Sequence, residues 1–325
     1  MKLRKIFPAA IPVIVAVLFL AAISNNAYYL TIFVFCGIYV IAVSGLDILF
    51  GYSGQISLGH AMFYASGAYT SGILTTKFGV NPWLAILAGL LVTALLSFIV
   101  ALPASRLVHQ FLALLTIAAG NMMYVFLSKA TSITNAMAGI RQIPDLSIFG
   151  YELHSNLSFA IFTLLAVFLF LFIKLRLINS STGRAFMAIR ENTTAAGGMG
   201  INVRKYKIMA FIISALFTSF AGSMYTHFVG YISPETFESS LSTMLMTMLL
   251  FGGMGNTAGP ILGAVVIAVI NESLQSFNTY KTLLYGILIL VAVLFMPRGC
   301  YGLVTDLGIK IKTLSRKLVK KNVKN

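Results

Sequence analysis

Charge is what this sequence has least of: 10% of its 325 residues are Asp, Glu, Lys or Arg, and only eight are acidic. With 58% hydrophobic side chains, a chain of this length has too little polar surface to clothe a water-soluble globule, so its solvent must be lipid. Cysteine is nearly absent. Cys36 lies inside an apolar run and Cys300 at the end of another, without partners at metal-ligand spacing, so both read as packing residues and neither a disulfide nor a metal is expected. The sequence also lacks a G-x-x-x-x-G-K-[ST] phosphate loop, and any ATP hydrolysis therefore belongs to another chain. It has no H-E-x-x-H helix and no Ser/His/Asp set, which argues against a membrane hydrolase. Among ionisable residues near the middle of the apolar runs only His60 stands out, too little for a proton- or sodium-coupled carrier.

What is plentiful is apolar and small. The 27 glycines suit helices that pack by close backbone approach, because lipid gives helices no hydrophobic push toward one another. A crossing helix needs about 20 apolar residues. By that rule the spans are Ile6 to Ile23, Tyr28 to Phe50, Ser57 to Thr76, Trp83 to Leu102, Phe111 to Leu127, Leu157 to Ile173, Ile208 to Phe228, Leu241 to Phe251, Ile261 to Ile270 and Leu283 to Met296. The fold class expected is an all-α integral membrane bundle of about ten transmembrane segments. The start, Met1-Lys-Leu-Arg-Lys before an apolar run, resembles a signal peptide, but the run is long for one and is expected to be retained as the first helix.

The net charge of +15 is topological, since the basic residues fall between apolar runs and are not interleaved with aromatics on a soluble module, as nucleic-acid binding would require. Ten spans with both termini cytoplasmic leave only Lys77, Lys129, Arg141 and Lys281 on the far side. The eighth and ninth runs are short and flank Gly252-Gly-Met-Gly-Asn-Thr-Ala-Gly-Pro260. A spanning hairpin and a re-entrant pair both satisfy the parity, so eight spans plus a re-entrant pair is the alternative, with Gly252, Gly253, Gly255, Gly259 and Pro260 as a broken-helix loop. Residues 1–302 form the membrane domain, with a cytoplasmic loop over 179–207. Residues 303–325 form a basic tail whose Leu303, Leu307, Ile311, Leu314 and Leu318 fit either an interfacial helix or a frayed end.

The third span carries two stripes, Ser57, His60, Tyr64 and Ser71 on one side and Ala61, Ala65, Ala68 and Gly72 on another. Neither wants lipid, which places this helix in the interior. The polar stripe is expected to line a translocation pathway or, equally, to bond a neighbouring helix. Asn121 joins the pathway set as a polar side chain near the middle of the fifth span, although with Thr116 it also fits a packing seam. Ala210, Ser214, Thr218 and Ala221 form another such seam. Asp47 sits at the cytoplasmic end of the second span, where pairing with water or a basic residue is expected.

The loop from Asn179 to Lys207 is too polar to span. Ser180, Ser181 or Thr182 can cap a helix starting near Gly183, and Gly197, Gly198 and Gly200 can end a second one. It reads as an ordinary connection or as a lever on the cytoplasmic face. The loop resembles the coupling loop of ATP-binding-cassette importer permeases, whose pattern is E-A-A, three residues, then Gly: Thr194-Ala195-Ala196 and Gly200 stand at that spacing, with threonine in place of the glutamate. Gly51-Tyr52, Gly54-Gln55, Ser57-Leu58-Gly59-His60-Ala61 and Gly67-Ala68-Tyr69 resemble the early signature of the branched-chain amino-acid permease family, in particular its LivM-type subunit. Ala188-Ile189-Arg190-Glu191-Asn192 and Gly200-Ile201-Asn202-Val203 are similar to its loop. Gly252-Gly253, Gly259-Pro260 and Pro297-Arg298-Gly299 are similar to its closing signatures.

The resemblance runs over Tyr39 to Leu303 and implies a subunit of an importer in a prokaryotic cytoplasmic membrane, without an ATPase site or cofactor of its own. It implies as partners a second homologous permease, two cytoplasmic ATPases that bind ATP and Mg, and an extracytoplasmic binding protein. Arg184, Ala185, Arg190, Glu191, Thr194, Ala195, Ala196 and Gly200 would couple to the ATPases. The solute implied is leucine, isoleucine or valine, with urea or short amides as the alternative on the same architecture. A secondary transporter or channel working without ATPases, or a membrane enzyme or scaffold, is the alternative of another class.

Overall fold

A computed structural model describes residue 20, residues 26–107, 109–148, 151–153 and 155–273, and residues 283, 286, 287, 290, 299, 300 and 302. The expected first span apart from Leu20, most of the last span and the basic tail lie outside the described residues. Within them the chain is built from helices whose ends are written in the sequence. Asn26 caps α1 (Ala27–Asp47) by accepting from the Tyr28 N–H at 3.0 Å. After a turn of π-helix, Ile48–Tyr52, the chain enters α2 (His60–Phe78), which Gly79 ends with φ +61°. Asn81 caps α3 (Pro82–Ala104), with Pro82 in the first turn, where its missing N–H costs nothing. Then follow α4 (His109–Lys129) and α5 (Asn156–Ile178), the latter capped by Ser155.

Two short helices, α6 (Ser181–Glu191) and α7 (Thr193–Gly198), lead into α8 (Val203–Val229). The chain closes its described core with α9 (Ser239–Gly252) and α10 (Ala258–Ser273). Apart from α2, which begins at His60 and leaves Ser57 in the loop, the helices run a few residues past their apolar runs because polar caps and first-turn residues complete the outer turns. Among the described residues five helical stretches are long and apolar enough to cross a membrane: Ala27–Tyr52, Pro82–Ala104, Gln110–Lys129, Asn156–Ile178 and Val203–Val229.

The bundle has two distinct ends. One carries the loop with α6 and α7, together with Asp47, the start of α2 and the start of α8. The other carries two small antiparallel ribbons: β1 (Ile140–Arg141) with β4 (Tyr231–Ile232), and β2 (Ser147–Ile148) with β3 (Tyr151–Glu152). Trp83 closes this ribbon end by donating its indole N–H to the Ser147 carbonyl at 2.6 Å.

Helix α2 is the axis of the core. Every residue from His60 to Tyr69 is buried, which explains why a helix of modest hydropathy can lie inside a membrane bundle: its surface meets protein, not lipid. It packs on α8 and α3 through small residues. A Cβ on Gly222 would meet the Tyr64 carbonyl, and one on Gly67 the Ser219 carbonyl. Hydroxyls fill the same seam: Thr93 Oγ1 lies 3.0 Å from Ser66 Oγ and 2.8 Å from Ser219 Oγ, and Ser223 donates to the Gly67 carbonyl at 3.0 Å. Ala210, Ser214, Thr218 and Ala221 are all buried in α8, on this seam and its continuation. Apolar side chains on α3, α4 and α5 such as Leu91, Met122 and Leu165 are exposed, as lipid- or protein-facing surfaces require.

Candidate functional site

The polar row of the third span starts in the loop, not the helix, because Gly59 rather than Ser57 precedes the first turn of α2. Ser57 Oγ lies 3.0 Å from His60 Nδ1, and His60 Nε2 lies 2.7 Å from Ser214 Oγ on α8. Both ring nitrogens are thus engaged within this chain. Further along, the Tyr64 ring packs against Tyr225 and Phe237 while its hydroxyl is buried without a hydrogen-bond partner among the described residues. Ser71 turns back to the Ala68 carbonyl at 3.2 Å. The structure therefore sets Ser57, His60, Tyr64 and Ser71 in the interior, of which His60 reaches directly across to α8.

Asn121 has a different setting. It is exposed on α4 and accepts a 2.7 Å hydrogen bond from Ser239 Oγ, also exposed, at the start of α9. Ser240 and Thr243 continue this exposed polar face. A polar face midway along the membrane-length α4, continued by the start of the shorter α9, is costly against lipid, and such faces normally meet water or another protein.

The loop between α5 and α8 is a two-helix platform. Ser180 caps α6, as the sequence allows, and Asn192, which sequence reading passes over, caps α7 by accepting from the N–H groups of Thr194 and Ala195 at 2.9 and 3.0 Å. Arg184, Arg190, Glu191, Thr194, Ala195 and Gly200 are exposed, while Ala185 and Ala196 are buried beneath them. Gly200 takes φ +84°, a conformation open to glycine. Exposed Met187 and Met199 add adaptable apolar contacts to the same surface.

Beneath the platform lies a charged hub. Lys174 Nζ donates to Asp47 Oδ2 at 2.7 Å, and neither side chain is exposed. The other carboxylate oxygen, Oδ1, accepts the Gly255 N–H at 2.7 Å, and Lys174 also reaches the Asn256 carbonyl at 3.3 Å. Arg190 of α6 donates to the Gly51 carbonyl in the π turn, and the Lys174 ammonium stands 5.9 Å from the centre of the Tyr52 ring. Removing one partner of a buried ion pair costs about 3–5 kcal/mol, whereas replacing both with neutral groups is often near neutral. The expected pairing of Asp47 is thus with a lysine from another helix.

The glycine loop is part of this hub. Asn256 caps α10, accepting from the Gly259 N–H at 2.5 Å and donating to the Gly253 carbonyl at 3.1 Å. Cβ atoms on Gly252 and Gly263 would strike the Gly259 and Met248 carbonyls, so α9 and α10 approach backbone to backbone, with Pro260 buried in the first turn of α10. Gly299 packs on Gly252 and Gly253. The turn therefore reaches the loop end of the bundle, level with Asp47 and Arg190, while α9 begins partway along α4 at Asn121.

Close-packed membrane-length helices around a buried polar core, with an exposed helical platform on one end, define a multi-pass helical membrane protein. A family described as "Branched-chain amino acid transport system / permease component" matches residues 28–293, and the chain belongs to this family, as a LivM-type member. The high-affinity branched-chain amino acid transport system permease protein LivM of Escherichia coli K12 is 33% identical over 285 residues, covering 81% of this chain and 67% of the relative. The LivH permease protein of Salmonella typhimurium is 25% identical over 285 residues, covering 81% and 91%. The fructose import permease protein FrcC of Rhizobium meliloti is 27% identical over 305 residues, covering 88% and 84%. No solved structure matches the chain.

Proposed function

We propose that this chain forms half of the translocation pathway of an ATP-driven importer of leucine, isoleucine and valine in a prokaryotic cytoplasmic membrane. The observation that carries the reading is the platform of α6 and α7, whose exposed Arg184, Glu191, Thr194 and Ala195 sit directly above a hub wired into the helices. A second, homologous permease completes the pathway, two ATPases dock on the platform at the cytoplasmic face, and an extracytoplasmic binding protein delivers solute to the ribbon end. ATP and Mg are held by the ATPases.

The division of labour follows from burial. The exposed Asn121, Ser239 and Thr243 face the pathway or the partner permease, where water or protein meets their polar groups. The Ser57, His60, Tyr64 and Ser71 row lies inside the chain, where it holds the α2 and α8 helices together as the bundle rocks. Selectivity rests mainly on the binding protein, in keeping with the scarcity of charge on the Asn121 face. The fructose permease among the relatives makes the solute the point to test first.

The test is uptake of radiolabelled leucine into vesicles holding this chain with its candidate permease partner, ATPases and binding protein, with isoleucine, valine, urea and fructose as competitors. Uptake that requires ATP and is competed by the aliphatic amino acids supports mechanism and solute together. ATP-dependent uptake competed only by urea or fructose replaces the solute and keeps the mechanism. Uptake by this chain alone, without ATP, removes the importer reading.

A further inference from the structure

We propose that Asp47 is the joint through which movement of the platform reaches the α9–α10 hairpin; the inference rests on the importer reading above. Three elements converge on the end of α1. Lys174 from α5 and the Gly255 N–H from the hairpin donate to different oxygens of the one carboxylate, each at 2.7 Å, and Arg190 from α6 donates to the Gly51 carbonyl just beyond it. Glycines make the approach possible. A Cβ on Gly51 would meet the Asp47 carboxylate and the Gly255 nitrogen, one on Gly255 the Arg190 guanidinium, and one on Gly54 the Arg190 backbone and stem. The backbone accommodates them by a π turn at Ile48–Tyr52, a rare element that tends to mark functional positions.

A salt bridge with both side chains fully buried is a poor way to gain stability, because desolvation offsets most of the attraction. What it supplies is registration. With both carboxylate oxygens committed in fixed directions, α1, α5 and the hairpin cannot slide independently, and Arg190 adds the platform to the same body. Packed helices shift as rigid units between discrete arrangements. Helix α9 leads from this joint to Ser239 beside Asn121, so a displacement of the platform emerges at the exposed polar face. Asp47 touches no solute; it is a positioning residue.

The experiment uses the complete importer in proteoliposomes and reads solute carried per ATP hydrolysed. Co-purification with the ATPases and ATP-dependent uptake by the unsubstituted complex test the importer reading by themselves, and their absence removes that reading before any variant is compared. Exchanging the pair, Asp47→Lys with Lys174→Asp, keeps opposite charges together but sets a donor-only ammonium against the Gly255 N–H. A merely structural ion pair tolerates the exchange. The joint does not: the exchanged complex assembles and hydrolyses ATP, while solute carried per ATP falls about tenfold, within the usual range of coupling between sites. An unchanged ratio overturns the proposal. Should the exchanged chain fail to assemble, the native charges are kept and distances are read from spin labels on the exposed Ser181, Met254 and Arg106 in ATP-free and ATP-bound complexes. A constant Ser181–Met254 separation, with a changing separation of both from Arg106, supports the joint. A Ser181–Met254 separation that changes with nucleotide overturns it.

Discussion

His60 Nε2 lies 2.7 Å from Ser214 Oγ, joining α2 to α8 across a buried seam of the bundle. Its other nitrogen is 3.0 Å from Ser57 Oγ, so the ring bridges two buried hydroxyls. Replacing it by phenylalanine keeps a ring of similar size and removes both bonds. His60→Phe is expected to destabilise the chain by about 1–3 kcal/mol, the penalty for buried polar groups left unsatisfied. Thermal unfolding of the purified complex reads that loss, and the uptake KM for solute should stay where it is. Native stability with a raised KM would instead put His60 on the solute.

Two glycines give opposite expectations. A Cβ on Gly222 would meet backbone atoms of Tyr64, which cannot swing aside, whereas one on Gly198 at the end of α7 has none of the described residues within 4 Å. Gly222→Ala is expected to cost about 1–3 kcal/mol through overpacking. Gly198→Ala should fall between neutral and a gain of about 0.4–1 kcal/mol, since it only restricts the unfolded chain. Chemical unfolding of the two variants in the same detergent checks the contrast. Equal effects would mean that α2 and α8 pack more loosely than their seam indicates.

The helices were legible because their signals are local. Apolar runs mark their positions, Ser180 reads as a cap and is one, and the polar stripe of α2 marks it as interior; Asn26, Asn81 and Ser155 as caps and Gly79 and Gly230 at positive φ are local signals that the apolar runs left unread. Pairings between distant helices were not legible in the same way. Charge parity puts Asp47 and Lys174 at the same end of the bundle, a signal that was available, but only the packing of α1 on α5 makes them partners across 127 residues. The π turn has no sequence mark beyond Gly51. The start of α9 beside Asn121 depends on how the ribbon end folds over the bundle, and an apolar-run count cannot see it. That count left the glycine loop open between a spanning and a re-entrant hairpin, and the bond from Gly255 to Asp47, 208 residues away, has no local mark either.

The platform separates docking from folding. Ala195 is exposed and Ala196, its neighbour, is buried. Ala195→Arg is expected to leave unfolding within about 0.5 kcal/mol of the unsubstituted chain, as exposed substitutions do. It should nonetheless cut ATPase co-purification and uptake by about tenfold or more if Ala195 lies within the docking surface. Ala196→Arg would lower stability as well, because a charge must then be buried without a partner. Gly200 substitutions fall in the second class, since φ +84° strains any other residue. Pull-down with the ATPases beside a melting curve tells the classes apart. Undiminished uptake by Ala195→Arg would move the docking surface elsewhere.

The Asn121 and Ser239 pair offers the sharpest reading of the pathway face. Both side chains are exposed, so their 2.7 Å bond adds little to the stability of the isolated chain, and Asn121→Leu should change unfolding by no more than about 0.5 kcal/mol. If the face meets lipid, leucine there is neutral or better, and transport is unaffected. If it meets the water-filled pathway, leucine withdraws a polar group from the solute's surroundings and lowers kcat/KM for uptake, by about tenfold for a lost hydrogen bond of ordinary strength. If it meets the partner permease, the loss appears instead as a weaker heterodimer, read by co-purification at decreasing concentration. The expected outcome is reduced uptake with the heterodimer intact. Ser239→Ala should then give a smaller loss of the same kind, because it removes the donor and leaves the Asn121 amide free to hydrogen-bond water.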